Sequence, residues 1–505
     1  MAADYRSVFL WFLASLLAGL VMVSNESIWI DEGQTLRFAQ QTTLEDWRQT
    51  LLANTKSEAQ MPAGMFVAWA CARLIGTGEW ELRAINLLWV ALAGVAIGWV
   101  GRLTGKRGLL GLFLLQPFVW YYANEARPYA MQICSSAWLL YVLVRLQSPS
   151  SVSPSDLWIL CLATAVGAGA SLAFSFCLLA VLIVAFWLVY RRKADRRVWS
   201  AKCWLPVATT AAVLIAYGVY YLYTLRKGAS GARIWPVTPL NFAFASYEIL
   251  GFSGLGPPRH ELRELGRAPG QLVQNLLLSH YFWGLTCLSV LYGLVAARLW
   301  KRRGDSLVRL AFAVVLLTSG ILYAAASVVH FPFWGRHMAP VLPFVVLLIG
   351  VAVLPEPNLR KRLPGYAIPI LFAAALTASS LMLRFSSNHQ KDDYRTACRL
   401  AARSLAAGKV VWWSADSEEV ASYYRLSQEK VPAGSARLVF CINPAAETLL
   451  RWPLPDVVFR SKPDIYDVQN NLLPFLAKSH YQNVRRLPAF TIWVNPNSEM
   501  QPALQ

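Results

Sequence analysis

The feature that most constrains this chain is a series of apolar runs that fills its first 385 residues. Each is close to the length needed to cross a bilayer. A helix rises about 1.5 Å per residue, so roughly 20 apolar residues cover the hydrocarbon core. Such runs lie at 8–23, 84–100, 109–122, 129–144, 157–173, 174–190, 205–223, 276–297, 307–329, 338–354 and 366–383. They predict about eleven transmembrane helices. Hydrophobic residues make up 56% of the chain and charged residues 15%. Water-soluble domains carry about a quarter charged residues, so a soluble protein, a disordered chain and a coiled coil are all excluded. No small-residue cleavage site follows the first run, which therefore reads as an anchor.

Charge sets the direction of the spans. Lys and Arg number 47 against 28 Asp and Glu, a net charge of +19. In a membrane protein such an excess is first a topology signal, because Lys and Arg collect in cytoplasmic loops. The stretch 62–76 is short and interrupted by Arg73, so it reads as an interfacial helix that does not span. With a cytoplasmic N-terminus, the clusters Arg102/Lys106/Arg107, Arg145, 191–202, Arg298/Lys301–Arg303 and Arg360–Arg362 then all fall inside. Counting 62–76 as a span would invert every later loop. The outer side receives 24–83, 123–128, 224–271, 330–337 and the tail from 384. The expectation is a multi-pass protein of a bacterial inner (cytoplasmic) membrane whose working face and C-terminal domain are extracytoplasmic.

The tail differs in pattern. Residues 392–407 have helical periodicity, and 464–480 suggest a second helix. KVVWW (409–413), RLVFC (437–441) and FTIWV (490–494) read as strands. Strands alternating with helices predict a small α/β domain. The expected organisation is a membrane domain over 1–385 and an extracytoplasmic domain over 386–505. Six of the eight Cys fall in or beside apolar runs. Cys398 and Cys441 lie in the tail and could pair there if their Cα atoms approach.

Three outer motifs carry candidate chemistry. Trp29-Ile30-Asp31-Glu32 sets two acids at a membrane exit, where charge is costly and needs a reason. The plainer alternative is a solvated turn with Asp31 capping a helix over 33–40. Tyr121–Tyr129 (YYANEARPY) places Glu125 and Arg127 between two spans; an aromatic belt with an interfacial ion pair is the alternative. Phe331–His337 (FPFWGRH) places Arg336 and His337 on the outer side, against the charge trend. A fixed anion such as phosphate is a natural partner; contact with lipid headgroups is the alternative. The third outer loop adds Arg226, Lys227, Arg233, Arg259, His260, Arg263 and Arg267 among Gly251, Gly254 and Gly256. It could fold over an anionic lipid-linked substrate, or be a loop without a ligand. Its GFSGLG has the wrong spacing and setting for a dinucleotide fingerprint.

These motifs together resemble the bacterial family 39 membrane glycosyltransferases. The resemblance lies in Asp31-Glu32, Gln60-Met61-Pro62, Glu81-Leu82-Arg83, Asn124–Ala130 (NEARPYA), Gly335-Arg336-His337 with Pro340, and Lys391–Arg395 (KDDYR). The family has the GT-C fold, similar to the protein O-mannosyltransferases and the lipid A aminoarabinose transferase. It implies a polytopic α-helical fold with interfacial helices in the first outer loop. It also implies transfer of a hexosyl or pentosyl group from a polyprenyl-phosphate sugar to an outer acceptor, which could be a glycan, lipid or protein. The family's catalytic Asp falls on Asp31, with Glu32 beside it, and its second outer acid on Glu125. Aminoarabinose transferases have a Lys before the first-loop Pro, where this chain has Met61. Donor phosphate would then rest on Arg127, Arg233, His260, Arg336 or His337. Because the leaving group is a single lipid phosphate, cations alone could stabilise it, so no metal ligand and no cofactor is expected. Nucleic acid is not an expected partner. The competing classes are a transporter or flippase of an anionic lipid-linked glycan, a polymerase or ligase with a diphosphate-linked donor, and a tail-borne carbohydrate-binding module.

Overall fold

The structure is a computed structural model. It describes residues 5–148, 153–191, 201–228, 237–259, 261–262, 270, 274, 276, 278–331, 333–355, 364–415, 418–426 and 437–497. The candidates Arg233 and His260 lie outside these residues, as do Arg263, Arg267, most of the basic run 191–202 and Arg360–Arg362. The chain forms two compact units, residues 1–24 with 38–389 and residues 25–37 with 390–505.

The first unit is helical. In lipid no water satisfies the backbone, so a spanning segment must bond within itself, as a helix does. Among the described residues nine helices are long and apolar enough to cross a membrane. Most turn largely exposed apolar faces outward. Tyr129–Gln147 and Gly335–Val353 are instead 83% and 89% buried and form the centre. The second of these opens as a 3-10 turn, Gly335–Val341, before the α-helix Leu342–Val353.

Two of the eleven expected spans are shorter or broken. The run 109–122 divides into Leu109–Leu114 and Pro117–Ala123. Pro117 has no N–H to continue the first helix and instead starts the second. Gln116, at the break, donates its amide to the Ile249 carbonyl at 2.6 Å. The run 157–173 becomes Pro154–Ala170, 17 residues, started by a Ser153/Asp156 capping box. The stretch 62–76 is a 14-residue helix, Pro62–Ile75.

The helix Glu79–Leu103 links two chemically different ends of the bundle. Beyond its C-terminal end, Lys106 donates to the Leu354 carbonyl at 3.1 Å. Arg298 and Arg302 donate to the Ala352 and Val351 carbonyls, each at 3.1 Å. These cations cap the open carbonyls of Leu342–Val353, where the helix dipole favours positive charge. Arg83 and Asn86, at the other end of Glu79–Leu103, reach Ser24 and residues 123–125. The glycine-rich stretch 251–256 has a packing role. Gly254 N–H donates to Ser379 Oγ at 3.1 Å, and Ser379 Oγ donates to the Gly251 carbonyl at 2.6 Å. A Cβ at Gly254 would run into the Ser379 carbonyl.

The second unit contains a five-stranded sheet. Its strands are β1 (Val411–Ser414), β2 (Leu438–Phe440), β3 (Val457–Ser461), β4 (Gln482–Leu487) and β5 (Phe490–Val494), in spatial order β2-β1-β3-β5-β4. β1 is parallel to both β2 and β3, while β5 is antiparallel to β3 and forms a hairpin with β4. β1 is buried throughout, as suits a strand covered on both faces. In β5 the buried residues alternate, Phe490, Ile492 and Val494 facing inward. The expected helix over 392–407 forms as Tyr394–Ala406. That over 464–480 is instead two pieces, Pro463–Tyr466 and Leu472–Lys478. Cys398 and Cys441 are separate buried thiols, not a disulfide. Burial raises both thiol pKa values, that of Cys441 to about 12.

Candidate active site

In the first unit the turn 124–128 is anchored from several sides. Ser24 donates its N–H and its hydroxyl to Asn124 Oδ1, at 2.7 and 2.9 Å, and Arg83 holds the Ser24 carbonyl at 3.0 Å. Asn86 Nδ2 donates to the Ala123 and Glu125 carbonyls at 3.0 and 2.6 Å. Arg83 is fully buried and Asn86 nearly so. Arg83 of the Glu81-Leu82-Arg83 triplet thus helps to fix this turn, with Asn86 one helical turn on.

Glu125 and Arg127 then diverge. Arg127 pairs with Glu58 at 3.1 Å, and both side chains are 3% exposed. Glu58 lies on the 3-10 turn Ser57–Gln60 of the first loop, so the pair ties that loop to the turn. Glu125 is 1% exposed and lies 3.9 Å from the Arg259 guanidinium.

Arg259 is the hub of this cluster. It pairs with Glu248, donates to the Tyr121 and Tyr122 hydroxyls at 2.6 and 2.8 Å, and stacks 3.8 Å over the Tyr121 ring. Stacking with a fixed fork of donors suits Arg where Lys would not serve. Burial disfavours the Arg259 charge, but Glu248, then Tyr121, Tyr122 and Glu125, outweigh it and hold the guanidinium protonated. Burial raises the pKa of the Glu248 carboxyl, with Arg259 and then Arg336 opposing. Glu248 is 4% exposed and Arg259 31%. The Arg259 side chain is thus the most exposed member of a largely buried two-acid, one-base group.

The Gly335-Arg336-His337 motif belongs to the same neighbourhood. Gly335 lies against the Glu248 carboxylate, in the space a Cβ would take. Arg336 acts on Glu248 through its charge. His337 Nδ1 accepts the Trp334 N–H at 3.0 Å, and its ring stacks on Phe333. Its first role is therefore to shape the turn.

Asp31 and Glu32 belong to the second unit. The helix starts at Ile30 rather than at 33, which makes Asp31 and Glu32 first-turn residues and not caps of a later helix. Acids are favoured there because the free N–H groups carry partial positive charge. Glu32 is fully buried and pairs with Lys391 at 3.1 Å. Asp31 is partly exposed.

Sequence reading passed over Glu248, Glu58 and the Glu32–Lys391 pairing, and did not separate Arg259 from the other loop cations. Glu248 left one signal, as the single charge in Pro239–Ile249. Among the described residues no three His, Cys, Asp or Glu side chains gather in a way that could hold a metal ion.

Residues 102–198, about a fifth of the chain, match the family model of the protein O-mannosyl-transferase TMEM260 N-terminal domain. The matched stretch contains the Glu125–Arg127 turn. No curated protein sequence matches the chain. Among solved structures, ArnT from Cupriavidus metallidurans in the apo state aligns at 14% identity and a TM-score of 0.49, over 98% of either chain. The same protein bound to undecaprenyl phosphate aligns at 14% identity and a TM-score of 0.47, over 98% of this chain and 99% of that one. The motifs and the family match agree in pointing to a multi-pass membrane glycosyltransferase.

Proposed function

We propose that this protein transfers a sugar, hexosyl or pentosyl, from a polyprenyl-phosphate donor to an acceptor on the extracytoplasmic side of the membrane. The observation that carries the reading is the Glu125–Arg259–Glu248 cluster with Arg336, at the end of the bundle opposite the cations that cap Leu342–Val353. Breaking a sugar–phosphate bond builds positive charge at the anomeric carbon and negative charge on the departing phosphate. A guanidinium held in place by its neighbours stabilises the second without reorganising. Arg259 and Arg336 take that role in this proposal. His337 remains a candidate for it, while Arg127 supports the turn through Glu58.

The acceptor hydroxyl must lose a proton as it attacks. Asp31 is the proposed general base, a role that contributes about 10²–10⁴ in rate. Glu125 orients the acceptor or the Arg259 side chain. The test is transfer from a panel of labelled polyprenyl-phosphate sugars in reconstituted membranes, wild type beside Asp31→Asn. Sugar-dependent release of polyprenyl phosphate that vanishes in the variant is expected. Near-normal turnover by Asp31→Asn would remove Asp31 from the base role.

A further inference from the structure

The short segment that carries Asp31 folds with a partner more than 350 residues away in sequence. Residues 25–37 form one compact unit with 390–505, and among the described residues Lys391, Arg395, Tyr424 and Lys462 hold the beginning of the segment. Arg395 donates its N–H to Ser27 Oγ at 3.0 Å and its Nη2 to the Asn25 carbonyl at 2.7 Å. The Tyr424 hydroxyl accepts the Ile28 N–H at 2.8 Å. Lys462 lies 4.9 Å over the Trp29 ring and pairs with Asp392.

Lys391 holds Glu32, the residue next to Asp31 in sequence. Glu32 is fully buried, and a buried carboxylate is tolerated only when compensated. Lys391 Nζ sits 3.1 Å from Glu32 Oε1, with the Lys side chain 6% exposed. The other oxygen, Glu32 Oε2, accepts the Trp29 N–H at 3.4 Å. One carboxylate therefore joins the start of the helix to the tail, one residue from Asp31.

We propose that Lys391 is a positioning residue for Asp31, and that the tail domain serves the reaction by clamping residues 25–32 through Lys391, Arg395, Tyr424 and Lys462. The proposal rests on reading Asp31 as the base. A general base acts only within hydrogen-bond reach of its proton, and a displacement of about 1 Å can cost about 10²-fold in rate. Glu32 holds the helix start to Lys391, and that attachment fixes where the neighbouring Asp31 points.

The test uses the full-length protein in lipid nanodiscs, with Lys391→Met, Lys391→Arg and Arg395→Ala. Two quantities are read: amide hydrogen exchange over 25–37, and kcat and KM for the donor. Lys391→Met is expected to speed exchange over 28–37 and lower kcat by about 10²-fold, with KM changed less than about threefold. Lys391→Arg keeps the charge and is expected to restore most of both. Arg395→Ala removes a partly exposed side chain and tests the clamp should Lys391→Met fail to fold. Exchange and kcat at wild-type values in Lys391→Met, or in Arg395→Ala if the first does not fold, would overturn the proposal. Should Asp31→Asn retain turnover, the base assignment fails by itself, and the exchange data still decide whether the clamp exists.

Discussion

Replacing Arg127 by Met tests the anchoring of the 124–128 turn. Arg127 and Glu58 are 3.1 Å apart and almost wholly buried. At an effective dielectric near 20 their attraction is about 5 kcal/mol, which offsets the cost of taking both charges out of water. Arg127→Met removes one charge and leaves Glu58 buried without this partner, a loss of about 3–5 kcal/mol. Glu58→Gln alone is expected to cost a similar amount. The double variant Glu58→Gln/Arg127→Met leaves no uncompensated charge and should lose much less than the sum. The assay is reversible unfolding in mixed micelles titrated with SDS. A single variant within 1 kcal/mol of wild type, or a double variant that loses the full sum, would refute the reasoning.

Two further outcomes follow from packing. Gly254→Ala forces a methyl group into the Ser379 carbonyl and should destabilise the protein by about 1–3 kcal/mol, whereas Gly293→Ala, which meets open space, should not; the same SDS titration compares them. Cys398 and Cys441 are buried, with thiol pKa values raised well above the free value. Neither should react with maleimide at pH 8 until the tail domain is unfolded, which mass spectrometry of labelled peptides would show.

The membrane runs were legible because a span must satisfy its own backbone and so leaves a long apolar signature. Direction was expected from the basic clusters; three of those cations, Lys106, Arg298 and Arg302, gather at one helix end. The break at 115–116 was marked by Pro117, but the apolar run around it concealed the mark. In the tail, β1, β2 and β5 were read from their apolar runs. β4 (QNVRRL) was missed because an edge strand carries charge to avoid pairing with other chains. β3 was missed because VVFRS is short and closely followed by Pro463.

The candidate residues were legible where motifs are local. Asp31, Glu125, Arg127 and Arg336 stand out because charge beside an apolar span is conspicuous. What holds them was not, since those contacts join distant segments: Glu58 with Arg127, Glu248 with Arg259, and Glu32 with Lys391. A single acid in a short apolar helix, or one Arg among seven loop cations, carries no spacing that singles it out. The same holds for Gly335, whose role is to leave room for Glu248.

The most direct measurement is the mass of the lipid that appears when the wild-type protein consumes a polyprenyl-linked sugar donor in the presence of an acceptor-rich membrane extract. The account expects polyprenyl monophosphate, formed in proportion to sugar transferred and absent with Asp31→Asn. Release of the diphosphate, or no lipid product from any donor with folded protein, would contradict it.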